Sequence, residues 1–262
     1  MSAYEVTQEL YEDVMTGNPD NINKNPSTFK SASFEEIPKY LPVEMVTWYE
    51  IIYFCNRLSE KTGLEKVYTI KITNKDNGTL TDTDRIISAE VEIDITKNGY
   101  RLPTEAEWEL AARGGDPFAE EWNYEFSGRS YEDGVIYKAR KNSELDLIAW
   151  WGDSSSSPHQ VGLKEPNSLG LYDMSGNVWE WCWDLFEKDV TKYDYLYIID
   201  GIVTNPLGPS RDENSIMSYY PTGKGGGYNS NSSEACIVTT RAHSSQSYLK
   251  TTGFRIARTV KL

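Results

Sequence analysis

The chain has 262 residues, with 40 Asp and Glu against 26 Lys and Arg, and a formal net charge of −14. That length buries a substantial core, and 18 Tyr and 8 Trp supply it with large side chains. The acidic balance excludes nucleic acid and anionic membrane surfaces, which require clustered Lys and Arg, and no apolar run approaches the ~18 residues of a membrane span. Cys55, Cys182 and Cys236 form no CxxC pair and no even set, so no disulfide framework is indicated. His159 and His243 are too few for a transition-metal centre built on imidazoles.

In chain order, Thr7 caps a first helix in which Leu10 and Val14 recur at helical spacing and Gly17 is the stop. Thr47 and Glu50 form a capping box opening a second helix, with Trp48, Ile51, Ile52, Cys55 and Leu58 inward and Gly63 at its end. Residues 66–95 alternate as a β-hairpin, with Asn77-Gly78 as its turn. A second capping box, Thr104 with Glu107, follows Pro103 and opens a third helix carrying Trp108, Ala111 and Ala112. Glu105 and Glu109 share one face of it and are expected to hold backbone amides or Arg101 and Arg113. Beyond Gly115 no helix is predicted; short apolar pieces such as 148–151, 161–163 and 178–181 are divided by Gly, Pro, Ser and Asn. No internal repeat is present. These patterns predict one α+β domain over residues 1–262, rich in irregular structure.

Residues 228–252 break the pattern. They lie between Gly225-Gly226-Gly227 and Gly253-Phe254-Arg255 and carry Ser, Thr and Asn with few large apolar side chains. Such a run cannot bury enough surface to fold alone and must be held by a scaffold. Small polar side chains with occasional Tyr are also what adaptable binding surfaces use.

Several motifs together carry a resemblance. They are Glu5-Val6-Thr7; Asn25-Pro26-Ser27; residues 42–48 (PVEMVTW); residues 101–109 (RLPTEAEWE); residues 167–181 (NSLGLYDMSGNVWEW); and Gly225-Gly226-Gly227 through Gly253-Phe254-Arg255. In this order they resemble the formylglycine-generating-enzyme (sulfatase-modifying factor) domain, a branch of the C-type-lectin-like folds, across nearly the whole chain. The resemblance implies a C-type-lectin-like α+β fold of that subtype. The family's first strand is not visible, so a native leader is expected upstream of this sequence.

Formylglycine-forming members hold copper between two cysteines shortly after the Gly-rich stretch, because soft thiolates select Cu(I). Here the first of those positions falls near Ser230 and only Cys236 lies near the second. A branch that uses histidine-bound iron carries an extra helical domain, absent from this sequence. The expectation is therefore a protein with no enzyme activity, and a buried, inert Cys236.

Residues 226–258 resemble the variable region of retroelement-diversified variable proteins of the treponemal type, in which adenine-specific mutagenesis rewrites chosen codons on a lectin-like scaffold. The resemblance implies variable, ligand-contacting side chains at Asn229, Ser230, Asn231, Ser233, Glu234, Ile237, Thr240, Ala242, His243, Ser244, Ser245 and Tyr248, with Val238, Arg241, Phe254 and Arg255 as fixed scaffold. It also implies a bacterial cell-surface or extracellular protein that binds an unknown protein or cell-surface ligand, with no nucleic-acid partner and no membrane insertion. No cofactor is required. Family members can hold structural calcium, for which Asp173 and Glu180 and the carbonyls of Gly176 and Val178 would be the oxygen ligands. Glu165-Pro166-Asn167 has the letters of a lectin sugar site but belongs to the Pro-Asn-x-x-Gly-Leu-Tyr motif. A copper oxidase acting on sulfatase cysteines is the alternative reading, and a lectin fold with a merely solvated polar loop is a third.

Overall fold

The frame is set by three capped helices. In the computed structural model, which describes residues 1–31, 36–77, 84–131, 142–152, 155–186, 198–199, 202–203, 206–208, 220–243 and 248–260, they are α1 (Gln8–Met15), α2 (Trp48–Lys61) and α3 (Glu105–Ala112). Both predicted capping boxes form: Glu50 N donates to Thr47 Oγ1 at 3.1 Å while Thr47 N donates to Glu50 Oε2 at 2.9 Å. The Thr104–Glu107 pair repeats this at 3.2 and 2.9 Å. In α2 the five expected inward residues are buried, together with Tyr49, Tyr53 and Phe54. In α1 the buried face is Tyr11, Val14 and Met15, and Leu10 points outward at 37% exposure. A fourth helix, α4 (Ser143–Ile148), was not expected; Asn142 caps it through Leu145 N at 3.0 Å.

The predicted hairpin is β1 (Tyr68–Asn77) against β2 (Asp84–Ile93), antiparallel. Asn77 does not turn the chain: it continues the strand and pairs with Asp84. Gly78 lies outside the described residues. β3 (Tyr100–Arg101) pairs with the last strand, β10 (Ala257–Arg258). β4 (Trp179–Leu185) is central to a four-stranded sheet with β7 (Pro221–Lys224), β8 (Ala242–His243) and β9 (Thr252–Gly253), in the order β8-β7-β4-β9. β4 and β9 run parallel and the other pairs antiparallel. A small separate ribbon joins β5 (Ile198–Ile199) to β6 (Ile202–Val203).

Aromatic packing joins helices to sheet. Tyr11 stacks on Phe54 at 5.2 Å and 7°, and Phe254 meets both edge-on. Trp183 of β4 lies against Trp48 of α2 and Tyr68 of β1. On the opposite face of β4, Glu180 accepts from Trp108 Nε1 at 2.7 Å and from Arg255 Nε and Nη2 at 2.7 and 2.6 Å. Arg255 also donates to the carbonyls of Ser2, Ala3 and Tyr172, which employs the whole guanidinium fork. Both side chains are buried. The N-terminus, α3, β4 and the C-terminal segment thus meet at one ion pair.

Removing one partner of a buried pair leaves the other charge without compensation. Arg255→Met is expected to lower unfolding free energy by about 3–5 kcal/mol in urea titration. Lys71→Ala, which breaks an exposed pair with Glu90, is expected to cost under ~0.5 kcal/mol. Comparable losses for the two variants would contradict this picture.

Candidate ligand-binding face

The backbone of the polar segment is fixed before any of its side chains is presented. Gly225 and Gly226 take φ of +91° and +78°, and a Cβ on Gly226 would sit 2.7 Å from Cys236 Sγ. Tyr228 is buried, its ring edge-on to Phe29, and its N–H donates to Asn177 O at 2.6 Å. Val238 is buried and its N–H donates to Glu125 O at 2.8 Å. β8 adds Ala242 and His243 to the sheet edge opposite Gly223 and Thr222.

From this backbone Asn229, Asn231 and His243 are exposed, and Glu234, Thr240 and Ala242 are half-buried. Tyr248 is 38% exposed. Ile237 is only partly an outward position: it is half-buried and packs against the Phe126–Trp151–Cys236 cluster. Ser230 and Ser233 correct the expectation of an outward surface at every position, being 7% and 0% exposed. Ser230 Oγ accepts from Gly227 N at 3.0 Å, and Ser233 Oγ lies 3.3 Å from Tyr131 Oη. Small hydroxyls satisfy a buried turn there. Ser244 and Ser245 lie outside the described residues.

Sequence reasoning missed what surrounds these positions. Phe186 and Tyr220 flank the His243 ring, with centroids at 4.6 and 5.8 Å. Arg241 lies over Phe186 at 4.9 Å and holds Glu105 of α3 at 2.5 and 2.8 Å. Tyr248 lies 4.6 Å over Arg85, which is bidentate to Glu50 of the α2 capping box. The carboxylates that pin both cations thus come from first turns of capped helices. Arg101 pairs with Glu107 rather than with Glu105 or Glu109; Arg113 does take Glu109, at 3.0 Å.

The three thiols are free, buried, and divided among three separate core clusters. Burial alone pushes the Cys236 thiol up to about 12. Such a group has little thiolate character, and Ser230 supplies no second sulfur. The geometry does not make a copper dithiolate.

Of the expected calcium ligands, Glu180 is already engaged. Both oxygens of Glu180 are committed to Arg255 and Trp108, so a guanidinium fills the cation's place. Val178 N donates to Glu5 Oε1 at 3.1 Å, and Asp173 Oδ2 accepts from Gly162 N at 2.8 Å. Glu180 thus has no free oxygen for a calcium ion in this arrangement, whereas the buried Asp173 Oδ1 has no hydrogen-bond partner; no group of three or more metal-ligating side chains occurs among the described residues. Asn167 is likewise committed, bonding Ala111 O, Ser127 Oγ and the amides of Leu169 and Leu171, so it is no sugar-site ligand.

A family model for the sulfatase-modifying factor enzyme 1-like domain matches residues 1–260, and the chain belongs to that family. It is similar to the solved structure of Treponema denticola variable protein 1, with a TM-score of 0.71 and 34% identity, covering 98% of this chain and 84% of that one. A chaperone protein LppX of Paenibacillus barcinonensis is 40% identical over 186 residues, 69% of this chain and 60% of that protein. A formylglycine-generating enzyme of Thermomonospora curvata is 39% identical over 92 residues, 35% of this chain and 29% of the enzyme. The chain thus matches 60% or less of the length of these curated relatives. The α+β, C-type-lectin-like fold of the formylglycine-generating subtype is the observed one.

The buried carboxyls make stability pH-dependent. Burial, with Glu180 nearby, pushes Asp173 up to about 6; burial pushes Glu44 and Asp184 up to about 7, and burial raises Glu5 well above its usual range. Folded values above unfolded ones mean stability that is complete below about pH 4 and lost as pH rises through 6 and 7. Glu107 moves the other way, held low by Arg101, and acts only below the ordinary carboxylate range. The melting temperature is therefore expected to fall between pH 5 and pH 8, with a shallower slope in Asp173→Asn. A melting temperature that rises over that interval would contradict the assignment.

Proposed function

We propose that this chain is a ligand-binding protein that presents an exchangeable set of side chains on a fixed lectin-type scaffold, and that it does not form formylglycine. One observation carries the reading: Asn229, Asn231, His243 and Tyr248 project from a backbone whose anchors, Tyr228, Val238, Phe254 and Arg255, are all buried. Substitution at the exposed positions does not disturb the core, which is the condition a diversified surface requires. Aromatic rings and Arg on the same face suit a protein ligand or a cell-surface ligand. The likeness to Treponema denticola variable protein 1, over 98% of this chain and 84% of that one, supports a variable surface, and retroelement diversification is part of the same reading. The chaperone name of the Paenibacillus relative accords with a protein partner. A bacterial cell-surface or extracellular location belongs to the same reading. With a net charge of −14, nucleic acid is not the ligand. No described helix is long and apolar enough to cross a membrane.

The test is a display library randomised at Asn229, Asn231, His243 and Tyr248 and selected against a panel of unrelated proteins. Specific binders are expected, with melting temperatures within about 8 °C of the starting chain, since four surface changes of up to about 0.5 kcal/mol each shift a chain of this size by about 2–4 °C per kcal/mol. Ser230→Tyr and Ser233→Tyr are expected to unfold the segment, because each hydroxyl fills a buried site. A library yielding no binders, or binders only with large stability losses, would refute the reading.

A further inference from the structure

One buried polar constellation plays no part in the binding face. The His159 imidazole lies between a hydroxyl and a carboxyl: Nε2 is 2.8 Å from Ser155 Oγ, and Nδ1 is 2.5 Å from Glu36 Oε1. The ring is 16% exposed and the Glu36 side chain 6%. Ser155 is half-buried, beside an exposed Ser156.

The support around it is rigid. Trp150 stacks on the imidazole with centroids 3.8 Å apart and planes at 16°, and Lys164 Nζ lies 4.0 Å from the indole centroid. Asn177 grips the His159 backbone, accepting from its N–H at 2.9 Å and donating to its carbonyl at 3.2 Å. Asn177 is itself tied to Glu5 at 2.6 Å. Glu36 Oε2 accepts from Gln160 N at 3.1 Å, and Gln160 Oε1 accepts from Ile37 N at 2.9 Å. Two loops far apart in sequence are stitched together at the imidazole.

The donor pattern fixes the chemistry. An ionised Glu36 accepts hydrogen bonds only, so Nδ1 carries the proton it receives; in the neutral ring Nε2 then offers a lone pair to Ser155. That is the order of nucleophile, base and orienting carboxylate found in acyl-transfer sites on unrelated folds. The Ser155 hydroxyl also touches the Ser157 carbonyl and accepts from Ser157 N at 3.2 Å, so its hydrogen has two directions to point.

We propose that Ser155 is a nucleophilic serine, with His159 as its general base and Glu36 as the positioning carboxylate, that accepts an acyl group from an ester substrate. Ser155 Oγ bonds to the carbonyl carbon and its proton passes to His159 Nε2. As the carbon–oxygen bond to the leaving group breaks, that proton is delivered to the leaving oxygen. The step needs no oxidant and no cofactor. It is independent of the binding reading, although Gly152 places this loop against the polar segment, where a Cβ would meet Ser230 O at 2.8 Å.

The test incubates the full folded chain with a fluorophosphonate, followed by intact mass and peptide mapping. One adduct on Ser155 is expected, absent from Ser155→Ala, slowed ~100-fold in His159→Ala, and forming faster at pH 8 than at pH 5. Glu36→Gln is expected to slow labelling while leaving the adduct on Ser155. The wild-type arm does not depend on any variant folding. A wild-type chain that stays unmodified across that pH range would overturn the proposal, as would an adduct on another residue: either would leave the three groups as a clasp between loops. Selection of binders from the display library reads out separately, so the two readings fail independently.

Discussion

The buried bond between Arg255 and Glu180 is the constraint on which the rest depends. A guanidinium enclosed by protein is costly unless every donor is met, and here the fork is met by one carboxylate and three carbonyls. Those acceptors come from the N-terminus, from the loop before β4 and from β4 itself. Segments about 75 and 250 residues apart along the chain are thereby held at one point. The same bond sets a positive charge against Glu180 from within the chain itself.

The polar face is anchored to this point. Phe254, next to Arg255, packs against Tyr11 and Phe54, while β9 lies parallel to β4. The face's two cations are then locked by carboxylates from helix first turns, Arg85 by Glu50 and Arg241 by Glu105. Glu50 has a double duty, capping α2 and orienting the arginine beneath Tyr248. Side-chain ordering is thus completed within the scaffold, so under the proposed function a ligand would meet rings and cations that are already positioned.

Much of this is legible from local signals. A capping box is a relation between residues three apart, so Thr47–Glu50 and Thr104–Glu107 announce α2 and α3 correctly. Periodicity is weaker: Leu10 and Tyr11 both fit a helical stripe, and only packing against Phe54 decides that Tyr11 is inside. α4 has six residues, too few for a period to register. Composition reads Ser230 and Ser233 as solvated, yet their partners, Gly227 N and Tyr131 Oη, are conformational facts. The engagement of Glu180 is hidden for the same reason: its carboxylate suits an oxygen ligand, but its partner lies 75 residues away. No sequence spacing links Glu36 to His159, which the fold joins across 123 residues.

The central claim is that the scaffold's order is independent of what the face displays. Hydrogen–deuterium exchange, comparing the parent with a variant changed together at Asn229, Asn231, His243 and Tyr248, measures this directly. The account predicts that amides of β4, β7 and β9 keep their protection, with changes confined to residues 229–250. Loss of protection in β4 and β9 by tenfold or more would show that face and frame are one cooperative unit, contradicting the account.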